Sequence, residues 1–260
     1  MDRKFKEILE KNLAKKRVIL QKLRGMDEVY VLFSRCTNMP YVLCEEKNYN
    51  DQIFVFGKEE DAKKNVKERA EEDIPLVIVK FEKNQFLSFY AGLYLIGANA
   101  IVADLDGEST EIMLEELVTR PDDSKLAREK VRVDNPQLHL TALYYMQELR
   151  RYPAEKQKVT PELKALEEEM LSNLIKGTYI IPVQDKNIIP FMKFKNGDLY
   201  QPVFTDFTEF QKFNKEQKFR AVVIPFSDFK KAIAEQSKGF VINPMGFHLI
   251  ILQGQLNKIE

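Results

Sequence analysis

Apolar positions in the first 24 residues recur with helical spacing. Phe5, Leu9 and Leu13 stand four apart, and Leu20 and Leu23 continue the face. An amphipathic helix is therefore predicted at the N-terminus. The period then changes. EVYVLF (28–33) and DQIFVF (51–56) read as strands, GKEEDAKKNVKERAEE from Gly57 as an exposed helix, and PLVIVKF (75–81) as a buried strand. NQFLSFYAGLYLIG (84–97) returns to helical spacing through Phe86, Tyr90 and Leu93, and AIVA (100–103) predicts a closing strand followed by a turn. From about 107 to 176 the chain reads as helical. Asn135-Pro136 and Thr160-Pro161 each place a capping residue before a proline suited to the first helical position, and the second of these helices stops at Gly177. Arg150 and Arg151 suit the C-terminal end of theirs.

Strand patterns resume after Gly177. TYIIPV predicts a strand, and IPFMKFKNGDLYQPVF a hairpin around Asn196-Gly197. TDFTEFQKFN predicts a helix capped by Thr205 or Asp206, FRAVVIPF a strand, and SDFKKAIAEQ a helix capped by Ser227. GFVI and GFHLIIL then flank Asn243-Pro244-Met245-Gly246, which has turn chemistry: proline fixes one φ and Gly246 can supply a positive one. His248 is expected on the last strand, facing away from Phe247, Leu249 and Ile251.

The two strand-rich zones match in order. Met39-Pro40-Tyr41-Val42 corresponds to Ile189-Pro190-Phe191-Met192, Val55-Phe56-Gly57 to Val203-Phe204-Thr205, and Val77-Ile78-Val79 to Val222-Val223-Ile224. Such a slowly drifting offset is what small loop deletions leave in a duplicated module of about 80 residues. On this alignment IGANAIVA of the first zone stands where the second has its Asn-Pro-Met-Gly turn. The expected fold class is α+β: two similar sheet-plus-helix modules joined by a helical linker. The boundaries are 1–25 for the N-terminal helix, 26–106 and 177–260 for the modules, and 107–176 for the linker.

Composition narrows the function. Of 260 residues, 44% are hydrophobic, enough for a packed core, and 40 basic side chains cancel 40 acidic ones. A neutral chain has no general attraction to nucleic acid or to acidic membranes, and little repulsion against self-association. The first 24 residues hold nine Lys/Arg against three Asp/Glu, a net of +6, which suits either a surface-binding helix or one docked on its own protein. No apolar stretch approaches the ~20 residues of a membrane span, and the charged start has no signal-peptide core. Cys36 and Cys44 are too few for a disulfide scaffold and are expected as buried strand thiols. A cytoplasmic protein without cofactor or metal follows.

Catalytic candidates are few. AIVADLDGEST ends a strand in Asp104-Leu105-Asp106-Gly107 and is similar to the first motif of haloacid-dehalogenase-type phosphatases, where the two acids are nucleophile and general acid. Glu108 stands in place of the usual Thr, and the downstream acids Asp122 and Asp123 are too near and too loop-like to complete a metal site. Cys36, Cys44, His139 and His248 do not have zinc spacing, and two histidines leave little for a triad.

Residues 178–256 resemble the N-terminal domain of the SseB (enhanced serine sensitivity) family, and 28–105 a diverged copy of it. The resemblance lies in Ile181-Pro182-Val183, Pro190-Phe191, Pro202-Val203-Phe204-Thr205 and Asn243-Pro244-Met245-Gly246. It implies a mixed α/β fold in bacterial cytoplasmic proteins and does not imply an enzymatic activity. The expected function is binding of another protein, or self-association. Pro190, Phe191, Phe204, Thr205, Asn243, Pro244, Gly246 and His248 are the candidate binding residues. The alternatives are a small-molecule regulatory module with its pocket between the copies, and a phosphatase-like enzyme at Asp104.

Overall fold

Helix α1 (Arg3–Gly25) forms where the four-residue spacing predicts it. Ile19 and Leu23 are buried, whereas Leu13 is half exposed, so among the described side chains the docked stripe lies in the C-terminal half. Its basic side chains meet acids that follow it in the chain: Lys15 pairs with Glu108 at 3.5 Å, Lys22 with Asp106 at 3.1 Å, and Lys16 with Glu116. The structure, a computed structural model, describes residues 3–119, 132–184, 188–256 and 258–259, with side chains from residue 13 onward. Asp122 and Asp123, and the side chains of Phe5 and Leu9, lie outside the described residues. The protein is mixed α+β and divides into two units, Met1–Arg35 with Pro40–Pro121 and Cys36–Met39 with Asp122–Glu260.

In the first unit, α1 is followed by β1 (Glu28–Ser34), the short β2 (Met39–Pro40), β3 (Val42–Cys44), β4 (Asp51–Phe56), α2 (Glu59–Ala70), β5 (Leu76–Glu82), α3 (Lys83–Leu95), β6 (Ala100–Leu105), β7 (Glu108–Met113) and α4 (Leu114–Leu117). The sheet runs β5-β1-β4-β6-β7. β4 and β6 are parallel, with Val55 beside Ala103; the other pairs are antiparallel. β3 pairs with the first half of β4 and β1 with the second. Leu32, Tyr41, Phe54, Phe56 and Leu76 bury one face under Ala62 and Val66 of α2.

The predicted helical zone begins later than expected, because Glu108–Met113 is a strand. Asp106 (φ 55°) and Gly107 (φ 78°) both take left-handed backbone, as the two central residues of a type I′ turn do, and this sends β7 back along β6. The expected pair of buried strand thiols is also corrected. Cys44 is exposed on β3, and Cys36 is buried in the turn after β1.

The second unit contains α5 (Pro136–Leu149), α6 (Pro161–Lys176), β8 (Thr178–Val183), β9 (Met192–Lys193), β10 (Leu199–Val203), α7 (Phe207–Phe213), β11 (Arg220–Pro225), α8 (Phe229–Ala232), β12 (Gly239–Ile242), β13 (Leu249–Leu252) and α9 (Gln253–Leu256). β11 pairs with β8, β8 bridges β10 at Ile180 and Phe204, and β10 continues to β12 and β13. Pro182 and Pro202 each lack an N–H, which accounts for the contraction of the β8–β10 ladder to one bridge. β10 and β12 are parallel, and β9 pairs with the first part of β10. Strand order and strand direction thus repeat those of the first unit, β11-β8-β10-β12-β13 against β5-β1-β4-β6-β7.

Three local expectations change here. Thr160 caps α6 through Leu163 N, but Ser227 does not cap α8, whose flanking residue is Asp228 after a 3-10 turn. The Asn196-Gly197 hairpin forms, yet only Gly197 (φ 88°) is left-handed, and Gly197 N donates to Phe194 O. That is a β-turn closed by a glycine bulge rather than a type I′ pair. Gly177 ends α6 with ordinary φ. It is required instead by space, since a Cβ there would stand 2.3 Å from the Tyr179 hydroxyl and 2.6 Å from Asn135 Oδ1.

Candidate functional site

The parallel strands β10 and β12 end side by side, which is where open α/β sheets usually place their ligands. After β10 the chain passes through Phe204 and Thr205 into α7, and after β12 it enters the Asn243–His248 turn. Thr205 N donates to Asn243 Oδ1 at 3.0 Å, and Asn243 Nδ2 donates to Thr205 Oγ1 at 2.7 Å. The Thr205 hydroxyl donates onward to Asp206 Oδ2 at 2.8 Å. The other Asp206 oxygen accepts from Glu209 N at 3.0 Å, capping α7. Asn135 Nδ2 donates to the carbonyls of Thr205 and Thr178, at 2.7 and 2.8 Å. Two asparagines therefore satisfy both backbone groups of a fully buried threonine.

Behind this network lies a second layer of titratable groups. His139, from α5, is fully buried with Nδ1 4.0 Å from Asp206 Oδ2, and its ring meets Phe247 edge-on at 4.9 Å. Neither ring nitrogen has a hydrogen-bond partner among the described residues. Burial, reinforced by the Lys212 charge, lowers the His139 pKa to about 3, so the ring is neutral. Burial pushes the Asp206 and Glu209 carboxyls up, against the opposing charge of Lys212, which is ion-paired to Glu209 Oε1.

The arrangement is a lock rather than a catalytic group. A hydroxyl nucleophile needs a base that accepts its proton and an open face for substrate. The Thr205 hydroxyl is spent on Asp206, His139 does not reach it, and none of the three meets solvent. In the first unit the equivalent strand ends carry different chemistry. If Val55 matches Val203, the two parallel ladders place Gly57 opposite Thr205 and Asp104 opposite Asn243. The counterpart of the Asn-Pro-Met-Gly turn is then Asp106-Gly107, not the IGAN stretch expected from sequence. Asp104 Oδ2 accepts from Ser109 Oγ at 3.0 Å, and Asp106 pairs with Lys58 at 3.1 Å, so both acids of the phosphatase-like motif belong to a β-hairpin. Among the described residues no cluster of three or more His, Cys, Asp or Glu side chains is placed to hold a metal.

The turn differs in detail from its sequence reading. Left-handed backbone falls at Asn243 (φ 47°) and His248 (φ 54°), not at Gly246. Gly246 is kept small by Glu209, whose Oε2 would lie 2.9 Å from a Cβ. His248 is outside β13, which starts at Leu249. Its Nδ1 lies 3.3 Å from Pro244 O, and its ring 5.4 Å from that of Phe194. Gly246 N and His248 N both donate to Asn243 O, and Arg150 donates to the carbonyls of Phe247 and His248.

Of the eight candidate residues, Thr205, Asn243, Pro244, Gly246 and His248 come together at this turn. Phe204 is a core residue beneath it, packed on Phe210 and Phe213. Pro190 and Phe191 sit half-buried ahead of β9 and do not join the network among the described residues. The sequence reading missed His139, Glu209 and Asn135 as members. Only Glu209 had a signal, the Asp-x-x-Glu spacing of a helix start. It also missed Met245, which is 54% exposed at the apex, and Phe207, 42% exposed at the start of α7. Met245 lines an open pocket of about 610 Å³ together with Phe213, Phe219, Lys212, Lys215, Lys218 and Glu216, which pairs with Lys218.

No helix among the described residues is long and apolar enough to cross a membrane. No protein-family model matches the chain, and no curated protein does. Among solved structures, Tic22 from Plasmodium falciparum is similar at 16% identity over 92% of this chain and 94% of that one, with a TM-score of 0.22. Anabaena Tic22 (protein transport) is similar at 10% identity over 80% of this chain and 81% of that one, with a TM-score of 0.22. At such TM-scores neither likeness says what this chain does.

Proposed function

We propose that the protein is a cytoplasmic, SseB-like, non-enzymatic protein, built from a duplicated module, that acts by binding another protein. The second unit carries the docking site. The duplication is supported by the equal strand order of the two units together with the drifting sequence offset. The observation that carries the binding role is the contrast within one turn. Its backbone is locked from beneath by Asn243, Thr205 and Arg150, while its apex presents Met245 to solvent beside a pocket of mixed aromatic and charged character. An ordered scaffold holding an exposed apolar tip loses little entropy on docking, which is how protein interfaces gain affinity from few residues. Phe207 adds a second exposed apolar side chain at the same end of the sheet.

The test is capture from the tip itself. A photo-crosslinking amino acid at position 245, irradiated in native lysate, should attach to a discrete protein partner or a second copy of the chain. The same group at exposed Lys195, on the β9–β10 turn, should not. Equal, diffuse labelling at both positions would remove the support for this reading.

A further inference from the structure

A second concavity lies elsewhere in the same unit, lined by the end of α5, the segment that follows it and the start of α6. It has a volume of about 550 Å³, and its lining includes Leu149, Leu163, Tyr152, Lys156, Lys158 and Glu148. This volume suits a small organic ligand. Its chemistry is asymmetric. Leu163 is buried and gives the pocket an apolar base, and Tyr152 contributes an aromatic surface. The one acid, Glu148, is engaged by Arg151 at 3.2 Å. The two cations are not engaged: neither Lys156 nor Lys158 has an ion-pair partner among the described residues. The loop is braced around this arrangement. Gln157 Nε2 donates to Tyr152 O at 3.2 Å, and the Arg151 guanidinium lies 5.5 Å from the Tyr152 ring centre.

Two uncompensated lysines beside an aromatic ring and an apolar base define what fits. A neutral apolar molecule leaves the lysines unused, and a bare inorganic anion leaves the apolar surface wet. We propose that this pocket binds a compact organic anion with a flat apolar body, of the aromatic carboxylate class. The flat body lies against Tyr152 and the leucines, and the carboxylate is held by Lys156 and Lys158. The site is independent of the turn at Met245, so either can fail without the other.

Isothermal titration of the full chain with 2-naphthoate, 2-naphthamide and inorganic phosphate separates these contributions. The expected result is saturable binding of 2-naphthoate below about 1 mM, with the uncharged amide and phosphate each at least about tenfold weaker. The double variant Lys156→Gln/Lys158→Gln, confined to exposed side chains, should lose about tenfold for the carboxylate and leave the amide unchanged. Tyr152→Ala should weaken both aromatic ligands. Three results would each overturn the proposal: no heat from 2-naphthoate at 1 mM, equal binding of carboxylate and amide, or a double variant that binds the carboxylate like the parent.

Discussion

Thr205 and Asn243 hold each other through two hydrogen bonds of opposite sense, Thr205 N to Asn243 Oδ1 at 3.0 Å and Asn243 Nδ2 to Thr205 Oγ1 at 2.7 Å. Both residues are fully buried, so neither bond is replaceable by water. Asn243→Ala strands the Thr205 amide, removes one of the two hydrogen bonds of the Thr205 hydroxyl, which keeps Asp206, and places alanine in left-handed backbone. The stranded amide costs about 1–3 kcal/mol, the lost bond to the hydroxyl about 1 kcal/mol, and the backbone about 1 kcal/mol. The variant should lose about 3–5 kcal/mol of stability by denaturant melting, with faster hydrogen exchange at the Thr205 amide than at the β6–β7 hairpin.

His139 makes stability depend on pH with a definite sign. Its pKa falls from 6.5 to about 3 on folding. Between those values the unfolded state binds the proton and the folded state resists it, so this contribution is full above 6.5 and is lost as pH falls toward 3. Asp206 and Glu209 are shifted up, so their contribution has the opposite slope: it is present at low pH and lost as pH rises through their folded pKa values. Comparing the parent with His139→Leu isolates the histidine. The stability difference, parent minus variant, should shrink from pH 7 to pH 4 by up to about 1.4 kcal/mol per unit. A difference that is flat with pH would mean that the imidazole is not neutral and buried.

The backbone at position 248 gives a test that does not involve titration. His248 takes φ 54°, a region that Asn and His tolerate and β-branched residues resist. His248→Asn should melt within about 0.5 kcal/mol of the parent, and His248→Val should lose about 1–2 kcal/mol. Equal melting of the two variants would show that the turn does not hold that conformation.

In the first unit, Glu111 gathers the loop between β3 and β4. Its carboxylate accepts from Asn48, Asn50 and Gln52, at 3.1, 2.9 and 2.6 Å. Burial raises its pKa, but the three amides outweigh burial and hold it below the ordinary value. A lowered folded pKa means that the stabilisation is present above the unfolded carboxylate range and is lost as pH falls through the folded pKa. Glu111→Ala should cost about 1–2 kcal/mol at pH 7 and less as pH falls below about 4. Hydrogen exchange over residues 45–50 reads it directly.

Much of this was legible in the chain. Apart from β2, β3 and β7, the strands of both units follow their alternating or apolar runs, and the Asp206 cap and Asp106-Gly107 turn follow residue chemistry. Five of the eight candidate residues meet at one place because they sit at the ends of neighbouring strands, and strand ends can be read from pattern. What was not legible depends on partners distant in sequence. Asn135 reads as a helix cap, yet its side chain turns to Thr178 and Thr205, and no local pattern tells of that. His139 reads as one polar residue on an apolar helix, and its neighbour Asp206 lies 67 positions away. Gly246 reads as the positive-φ residue because glycine is the usual choice, whereas the strain is carried by Asn243 and His248. β7 was missed because ESTEIM has only one fully buried position, Ile112, to mark its face.

The central claim is that the turn is scaffold beneath and recognition surface above, and a single substitution at its apex separates the two. Met245→Glu places a charge on a side chain that is already half exposed and makes none of the locking bonds. Paired thermal melts and pull-downs from native lysate should show a melting temperature within about 2 °C of the parent and loss of the recovered partner. A Met245→Glu protein that recovers the same partner as the parent, at the same yield, would contradict the account.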